Sequence, residues 1–383
     1  MTTSLEHASS AVRTAIAVAG SGLVERSSLV ETIALCAVAG EHLLVIGAPG
    51  TAKSEAVRRV ARVLGGQYFE YLLGRFTEPS EIFGPVDLRK LRDGVVETET
   101  AGMLPEADIA FLDEVFLGST AILNTMLGIL NERVFRRGHT RVACPLRICV
   151  GASNALPQEE SLAAFADRFL VRVFVDPIPD PRLEELLESG WSLGNMPLEE
   201  TASVADLDTL SEASRAADLA AVRPLLAQAI RLLRHNGILL SDRRIVKTQR
   251  LLSAAAVLGG RANPTAADLW PLILAVPTRE EQAMARDCLR DLLSATENST
   301  LAATAEEASL GPLVRAHRLV VAGRQLLAEA PPQDTEAYPN WCYRLEGVLR
   351  EIDAGFAPEQ LPADLTEVRK TIIARLGQTE SLG

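Results

Sequence analysis

The sequence of 383 residues has few aromatic residues, no long apolar run and no pattern of paired cysteines. Aromatic residues make up 4% of the chain, so aliphatic residues and alanine must fill its cores, as the 48% hydrophobic content permits. No stretch reaches the roughly 18 consecutive apolar residues of a membrane-spanning helix. The N-terminal residues also lack a basic region followed by an apolar core. We therefore predict neither membrane insertion nor a signal peptide.

Positive charge is also scarce. The net charge is −12 and the isoelectric point is near 5.1, which disfavours general attraction to nucleic acid or to an anionic membrane. The five cysteines are widely spread and odd in number, which is typical neither of a disulfide framework nor of a zinc site. We expect a reducing, cytoplasmic location.

What the sequence does contain is an alternation of short apolar runs with helical stretches up to residue 176. Such alternation predicts an α/β fold, an αβα sandwich around a parallel sheet. The runs interpreted as buried strands are residues 43–46, 67–71, 109–112, 146–150 and 170–175. Beyond the three prolines in residues 176–181 the patterns are helical, so the strand-bearing region ends there.

The length predicts two to three domains. Residues 1–180 form the predicted αβα domain, with an insertion of hairpin character at about 82–106. Residues 181–205 are interpreted as a linker, 206–290 as an α-helical domain and 291–383 as a helical C-terminal extension.

A phosphate-binding loop is predicted directly after the first strand, where residues 47–54 read GAPGTAKS and a helix follows. Backbone N–H groups of such a loop and of the helix start surround a phosphate with donors. Lys53 is expected to reach the β- and γ-phosphates of ATP, and the Ser54 hydroxyl to bind Mg²⁺. The strict pattern has glycine where Ala52 stands. The predicted nucleotide-binding residues here are Gly47, Ala48, Pro49, Gly50, Thr51, Ala52, Lys53, Ser54 and Glu55.

Two further polar signals follow predicted strands. The run IAFLDE ends in Asp113 and Glu114, which places both carboxylates at the carboxyl edge of the sheet, where such sheets bind ligands. Asp113 is expected to orient Mg²⁺ and Glu114 to act as the general base on water. Asn154 ends the next run and can hold the attacking water or the γ-phosphate without adding charge.

These residues occur in the order and spacing of an AAA+ module, and longer motifs resemble MoxR-type ATPases, especially the RavA-like branch. The motifs that carry the resemblance are GRFTEPSEIFG at 74–84, GMLPEA at 102–107 and AILNTMLGILNER at 121–133. MoxR proteins tolerate alanine before the loop lysine, in agreement with Ala52. The resemblance covers residues 20–290 and implies that the helical domain is an AAA+ lid.

The resemblance also implies roles for residues that carry no signal of their own. The segment GLVER at 22–26 resembles the part that packs beside adenine, with Val24 and Glu25 as contacts. The phosphates are expected to lie between the sheet edge and the lid.

Two arginine-containing motifs resemble sites that act on the γ-phosphate. DRF at 167–169 resembles an arginine finger, so Arg168 is expected to enter a neighbouring subunit's site, with Arg172 as the alternative. SDRR at 241–244 resembles the sensor-2 motif, in which Arg243 is the preferred γ-phosphate contact and Arg244 the alternative.

The function implied is ATP hydrolysis by a homo-oligomeric ring, by family expectation a hexamer. The ring would remodel or activate a partner protein, such as one with a von Willebrand A domain. Two alternatives stay open, namely a nucleic-acid-remodelling ATPase and a nucleotide switch with little turnover. Acidic composition and the lack of a DNA-binding motif favour the protein partner.

Overall fold

The computed structural model describes residues 2–193, 198–332, 335, 337–356 and 361–380. The chain forms two compact units, each of which is described by itself. The first, called the core unit, comprises Met1–Ser21, Arg26–Asp176 and Pro197–Ser309. The second, called the C-terminal unit, comprises Gly22–Glu25, Pro177–Met196 and Leu310–Gly383.

A five-stranded parallel sheet lies at the centre of the core unit. The strands, in chain order, are β1 Leu43–Gly47, β2 Tyr68–Leu72, β3 Ile109–Asp113, β4 Val134–Arg137, β5 Thr140–Ala143, β6 Ile148–Ser153 and β7 Val171–Val175. The sheet order is β2-β3-β6-β1-β7, and β4 pairs antiparallel with β5 as a separate hairpin. All five predicted strands and the parallel αβα fold are confirmed.

Burial on both faces explains the nearly continuous apolar runs of the central strands. Leu44 and Ile46 of β1 pack with alternate residues of β3 against helix side chains on one face. The intervening residues Leu43 and Val45 are fully buried as well. The central strands β1, β3 and β6 therefore have no solvent-facing row, and their charged residues appear only at their ends.

Helices cover the sheet and make up the region that follows β7. In the core unit they are α1 Thr2–Gly20, α2 Ser27–Ala39, α3 Lys53–Leu64, α4 Pro79–Phe83, α5 Leu88–Arg92, α6 Thr120–Glu132, α7 Glu160–Ala166, α9 Val204–Ala216, α10 Arg223–His235, α11 Asp242–Leu258, α12 Pro271–Leu274, α13 Arg279–Cys288, α14 Arg290–Leu293 and α15 Ala302–Leu310. In the C-terminal unit they are α8 Leu183–Leu193, α16 Pro312–Ala328, α17 Tyr338–Gly355 and α18 Ala363–Glu380.

Two predicted boundaries need correction. The predicted linker at 181–205 contains helix α8, which clusters with the C-terminal residues. The predicted extension from residue 291 is divided, because α15 belongs to the core unit. The buried Glu31 carboxylate of α2 accepts bonds from the Ala303 and Thr304 N–H groups, which caps α15. The amino-acid composition does not show either boundary, because each boundary depends on which helices pack together.

The insertion near residues 82–106 is less regular than a hairpin. It contains the short helix α5 and a single antiparallel bridge between Val86 and Thr98. It bonds to the β4–β5 hairpin, where the His139 N–H donates to the Val96 carbonyl at 2.9 Å and the Thr98 N–H donates to Thr140 Oγ1 at 2.7 Å. The insertion and the β4–β5 hairpin are therefore joined by hydrogen bonds.

The C-terminal unit has its own apolar core between α16, α17 and α18. The Trp341 indole donates to the Leu326 carbonyl at 2.7 Å, which satisfies its buried N–H. A side chain at Gly323 would lie 2.6 Å from Val368, so glycine allows α18 to approach α16 closely. Among the described residues, no helix is long and apolar enough to cross a membrane.

Candidate functional site

The loop from Gly47 to Ser54 connects the carboxyl end of β1 to α3. Gly47 is required for packing, because a Cβ there would lie 2.3 Å from the Val175 carbonyl oxygen of β7. Ala52 adopts the left-handed conformation with φ 60° and ψ 26°, which is why the strict motif has glycine here. No side chain caps α3, so the first N–H groups of this helix are available to an anion.

Lys53 folds back over this loop. Its ammonium group donates to the Gly47 carbonyl and, at 3.0 Å, to the Ala48 carbonyl. Burial lowers the pKa of Lys53, although Asp113 and Glu114 counteract that effect. These two carboxylates are thus close enough to act on the lysine, so the loop and the end of β3 belong to one site.

Glu114 and Asn154 lie next to each other across the ends of β3 and β6. The Asn154 side-chain amide donates to the Glu114 carboxylate at 2.8 Å. The Glu114 backbone has φ 49°, an uncommon conformation for glutamate, and its N–H donates to the Asp113 carboxylate at 3.0 Å. The fold therefore brings together the lysine, both acids and the amide that the sequence predicts.

Arg26 supports this site and was missed by sequence reasoning. It is only 5% exposed, and its Nε and Nη2 atoms donate to the Thr51 and Asp176 carbonyls, both at 2.8 Å. The Asp176 carboxylate in turn accepts two bonds from Arg279 of the lid. The available signal was a single arginine directly before the mostly apolar helix α2.

Arg168 lies at the opposite edge of the sheet. It is three residues before β7, and the Val171 N–H bonds to the carbonyl of His42, which directly precedes β1. A five-residue strand at 3.3 Å per residue separates the two edges by about 16 Å. The Arg168 Nε atom is buried and has no hydrogen-bond partner among the described residues. Arg168 is thus far from the phosphate-binding loop of its own chain.

Arg172, the alternative to Arg168, is 7% exposed within β7 and donates to the Pro277 carbonyl at 2.7 Å. Burial, together with the nearby Arg244, lowers the pKa of Arg172 to about 10. This side chain is thus held inside the core unit, so it is poorly suited to reach another subunit.

The two sensor-2 candidates have different environments. Arg243 is exposed, whereas Arg244 is buried against the turn that precedes β7. Farther along α11, Lys247 and Arg250 bind the buried Glu41 carboxylate, which precedes β1. Helix α11 therefore runs along the amino edge of the sheet. This differs from the expectation that the helix with the sensor-2 motif lies over the phosphates of its own chain.

Val24 and Glu25 belong to the C-terminal unit. Val24 is buried, and Glu25 forms an ion pair with Arg182 of the same unit. Their adenine contacts stay a prediction.

Comparisons with known protein families match both the domain that carries this site and the helical region after it. Residues 10–212 match the family described as the MoxR domain in MoxR-vWA-beta-propeller ternary systems, and residues 217–285 match an AAA lid domain. The chain belongs to the MoxR family of AAA+ ATPases. The lid match begins later than the predicted 206, because most of α9 falls within the MoxR match.

Similar proteins include uncharacterized relatives, a chaperone named MoxR1 and a solved structure that shares the fold. Two uncharacterized proteins of Methanocaldococcus jannaschii are each 36% identical over 64% of this chain, and the matches cover 64% and 66% of their own lengths, less than two thirds. The chaperone MoxR1 of Mycobacterium tuberculosis is 28% identical over 44% of this chain and 45% of its own. A crystal structure of a candidate ATPase from Cytophaga hutchinsonii shares the fold, with a TM-score of 0.61 and 17% identity over 77% of this chain and 97% of that one.

The donor set of this MoxR-family chain fits a magnesium ion held mainly by nucleotide and water. Ser54 and Asp113 offer one hydroxyl and one carboxylate near the loop. Among the residues that the structure describes, no group of three or more Asp, Glu, His or Cys side chains could hold an ion alone. Mg²⁺ commonly uses one or two protein ligands together with phosphate oxygens.

Proposed function

We propose that this chain hydrolyses ATP in a ring of identical subunits and uses the energy to remodel or activate a partner protein. The observation that carries the proposal is the arrangement of chemistry at the two sheet edges. The carboxyl edge holds a phosphate-binding loop, Asp113, Glu114 and Asn154, whereas Arg168 lies at the amino edge.

The chain's own residues bind and activate the reactants. The loop N–H groups and Lys53 hold the β- and γ-phosphates, for which Lys53 must leave its carbonyl partners. Glu114 accepts a proton from the attacking water, and Asn154 orients that water once it releases the Glu114 carboxylate. Ser54 and Asp113 would hold Mg²⁺, and the ion would supply positive charge to offset the charge that develops on the phosphate.

A second copy supplies the missing positive charge. Arg168 is about 16 Å from the carboxyl edge of its own sheet, farther than one side chain spans, so it serves the site of a neighbour. Arg243 lies in the first turn of the helix along the same edge and is exposed, so we assign it to the neighbour's γ-phosphate as well. Head-to-tail contacts of this kind close into rings, and we expect a hexamer.

The partner proposal rests on the family. The matching MoxR family is described by systems that include a von Willebrand A protein, so we propose such a protein as the partner. The net charge of −12 disfavours nucleic acid as the partner.

The motifs at 74–84, 102–107 and 121–133 support a position of this chain near the RavA-like branch of the family. The five cysteines are free, which suits a reducing cytoplasm.

The decisive experiment measures the ATPase rate per subunit against protein concentration, with particle size in ATP and without nucleotide. The rate should rise with concentration as a ring forms, and Arg168→Ala should reduce it by about 10³-fold or more with ATP binding retained. Arg290→Ala, at an exposed arginine outside the site, is the matched control and should behave like the natural protein. A constant rate from a monomer would refute the composite site.

A further inference from the structure

The side chain of Arg244 joins the lid to the turn that carries Arg168. Arg244, in the first turn of α11, has a side chain that is 2% exposed. Its Nη1 atom donates to the Asp167 carboxylate at 3.1 Å and to the Phe169 carbonyl at 3.2 Å, and its Nη2 atom donates to the Leu170 carbonyl. These acceptors flank Arg168 on both sides.

The fourth bond anchors the guanidinium group to the lid itself. The Arg244 Nε atom donates to the Ala275 carbonyl at 2.9 Å, directly after α12. The guanidinium group presents its donors in a rigid planar fork, so the positions of its acceptors are fixed relative to one another. Lysine has the same charge but cannot reproduce this planar arrangement.

The same contacts leave Arg168 free to act elsewhere. The Arg168 N–H closes the turn by donating to Phe165, and the Phe169 ring is buried against Phe165 and His42. The Arg168 Nε atom has no partner among the described residues. Hydrogen bonds thus hold the backbone of the turn on both sides of Arg168.

We propose that Arg244 is a positioning residue that fixes the Asp167–Phe169 turn so that Arg168 can enter the neighbouring subunit's site. This inference rests on the proposed trans role of Arg168. Because Arg244 bonds both to the Ala275 carbonyl and to the turn, a movement of the lid carries the Arg168 turn with it. Arg244 itself touches no nucleotide in this proposal.

Subunit mixing separates action in trans from action in cis. Arg244→Met alone should lose ATPase activity by about 100-fold, because a small displacement of a catalytic group has effects of that size. Its own phosphate-binding loop is intact, so it should still bind a fluorescent ATP analogue. Glu114→Gln is inactive in its own site but presents a correctly held Arg168.

When Arg244→Met and Glu114→Gln subunits assemble together in equal amounts, about one interface in four combines an intact site with an intact arginine. We expect the mixture to recover about a quarter of the natural rate. Arg168→Ala mixed with Glu114→Gln should recover equally. Lys53→Ala mixed with Glu114→Gln should stay inactive, because neither subunit has a working site.

The outcomes distinguish this inference from the proposed function. If Arg168→Ala is rescued but Arg244→Met is not, Arg244 acts on its own subunit's site and the inference is overturned. If neither is rescued, the trans role of Arg168 fails first.

Two further variants guard against a folding defect. Arg261→Met removes a comparable lid pair, since Arg261 binds the buried Asp268 carboxylate, but it does not touch the Arg168 turn. It should keep its ATPase activity. Asp167→Asn removes only the turn's carboxylate, and it should show a smaller loss that Glu114→Gln also rescues. An inactive Arg261→Met with a fully active Asp167→Asn would overturn the inference.

Discussion

The two edges of the same sheet are built differently. At the carboxyl edge, α3 has no side-chain cap and Ala52 and Glu114 hold left-handed backbone conformations. At the amino edge, Glu41 binds Lys247 and Arg250, and Arg244 has four acceptors. The uncapped N–H donors at the carboxyl edge suit a ligand that binds and dissociates. The hydrogen bonds of Arg244 at the amino edge keep the turn that carries Arg168 in place.

The largest effect is expected at the carboxyl edge. Glu114→Gln should lower the ATPase rate by about 10²- to 10⁴-fold, because it removes the general base, while ATP stays bound. A turnover assay and a binding assay check this together. Glu132→Gln, at an exposed ion pair on α6, is the matched control and should be unaffected. Normal turnover in Glu114→Gln would mean that another group activates water.

The next effect tests how firmly the amino edge is held. Glu41 is fully buried and joins β1 to α11, so Glu41→Ala should lower the free energy of unfolding by about 3 kcal/mol. Asp287→Ala, at an exposed pair, should change it by less than about 1 kcal/mol. Urea unfolding measures both. Equal effects of the two substitutions would show that the amino edge is no better stabilised than the surface.

The amino edge should also be sensitive to acid. Burial and the nearby Arg133 hold the pKa of His42 well below its ordinary value. Below about pH 6.5 the unfolded chain binds a proton at this residue and the folded chain does not, so the free energy of unfolding falls as the pH drops.

The free energy of unfolding should fall with decreasing pH by up to about 1.4 kcal/mol per pH unit because of His42 alone. His42→Gln should therefore show a shallower decline between about pH 6.5 and 5 in urea unfolding curves measured across that range. An unchanged decline would assign the acid sensitivity to other groups.

The smallest effect concerns the alanine in the phosphate-binding loop. Ala52→Gly relieves a left-handed conformation, but it adds freedom to the unfolded chain, so stability should rise by at most about 1 kcal/mol. ATP affinity should be retained. Ala213→Gly within α9 is the control and should lose about 1 kcal/mol. A destabilised Ala52→Gly would mean that the methyl group makes a needed contact.

Sequence patterns predicted the strands, and the structure places the predicted polar residues near one another at the carboxyl edge. Parallel strands that are buried on both faces must be apolar, so Asp113 and Asn154 stand out at or just after the strand ends, and Lys53 stands out in the loop motif that follows β1. Arg26 and Arg244 were missed or left undecided because each acts through backbone carbonyls that are far away in sequence. A carbonyl acceptor has no side-chain signature, so no motif records such a bond.

The division of the helical regions shows the same limit. The pattern of residues 181–205 and 291–383 did not reveal that α8 clusters with the C-terminal helices or that α15 packs on α2. Local sequence by itself predicted the loop after β1, the acids after β3 and the parallel αβα fold, because each depends on neighbours along the chain. Only the tertiary structure decided that Arg168 and Arg244 meet at the edge opposite the loop, because that depends on strand direction and on where a distant helix packs.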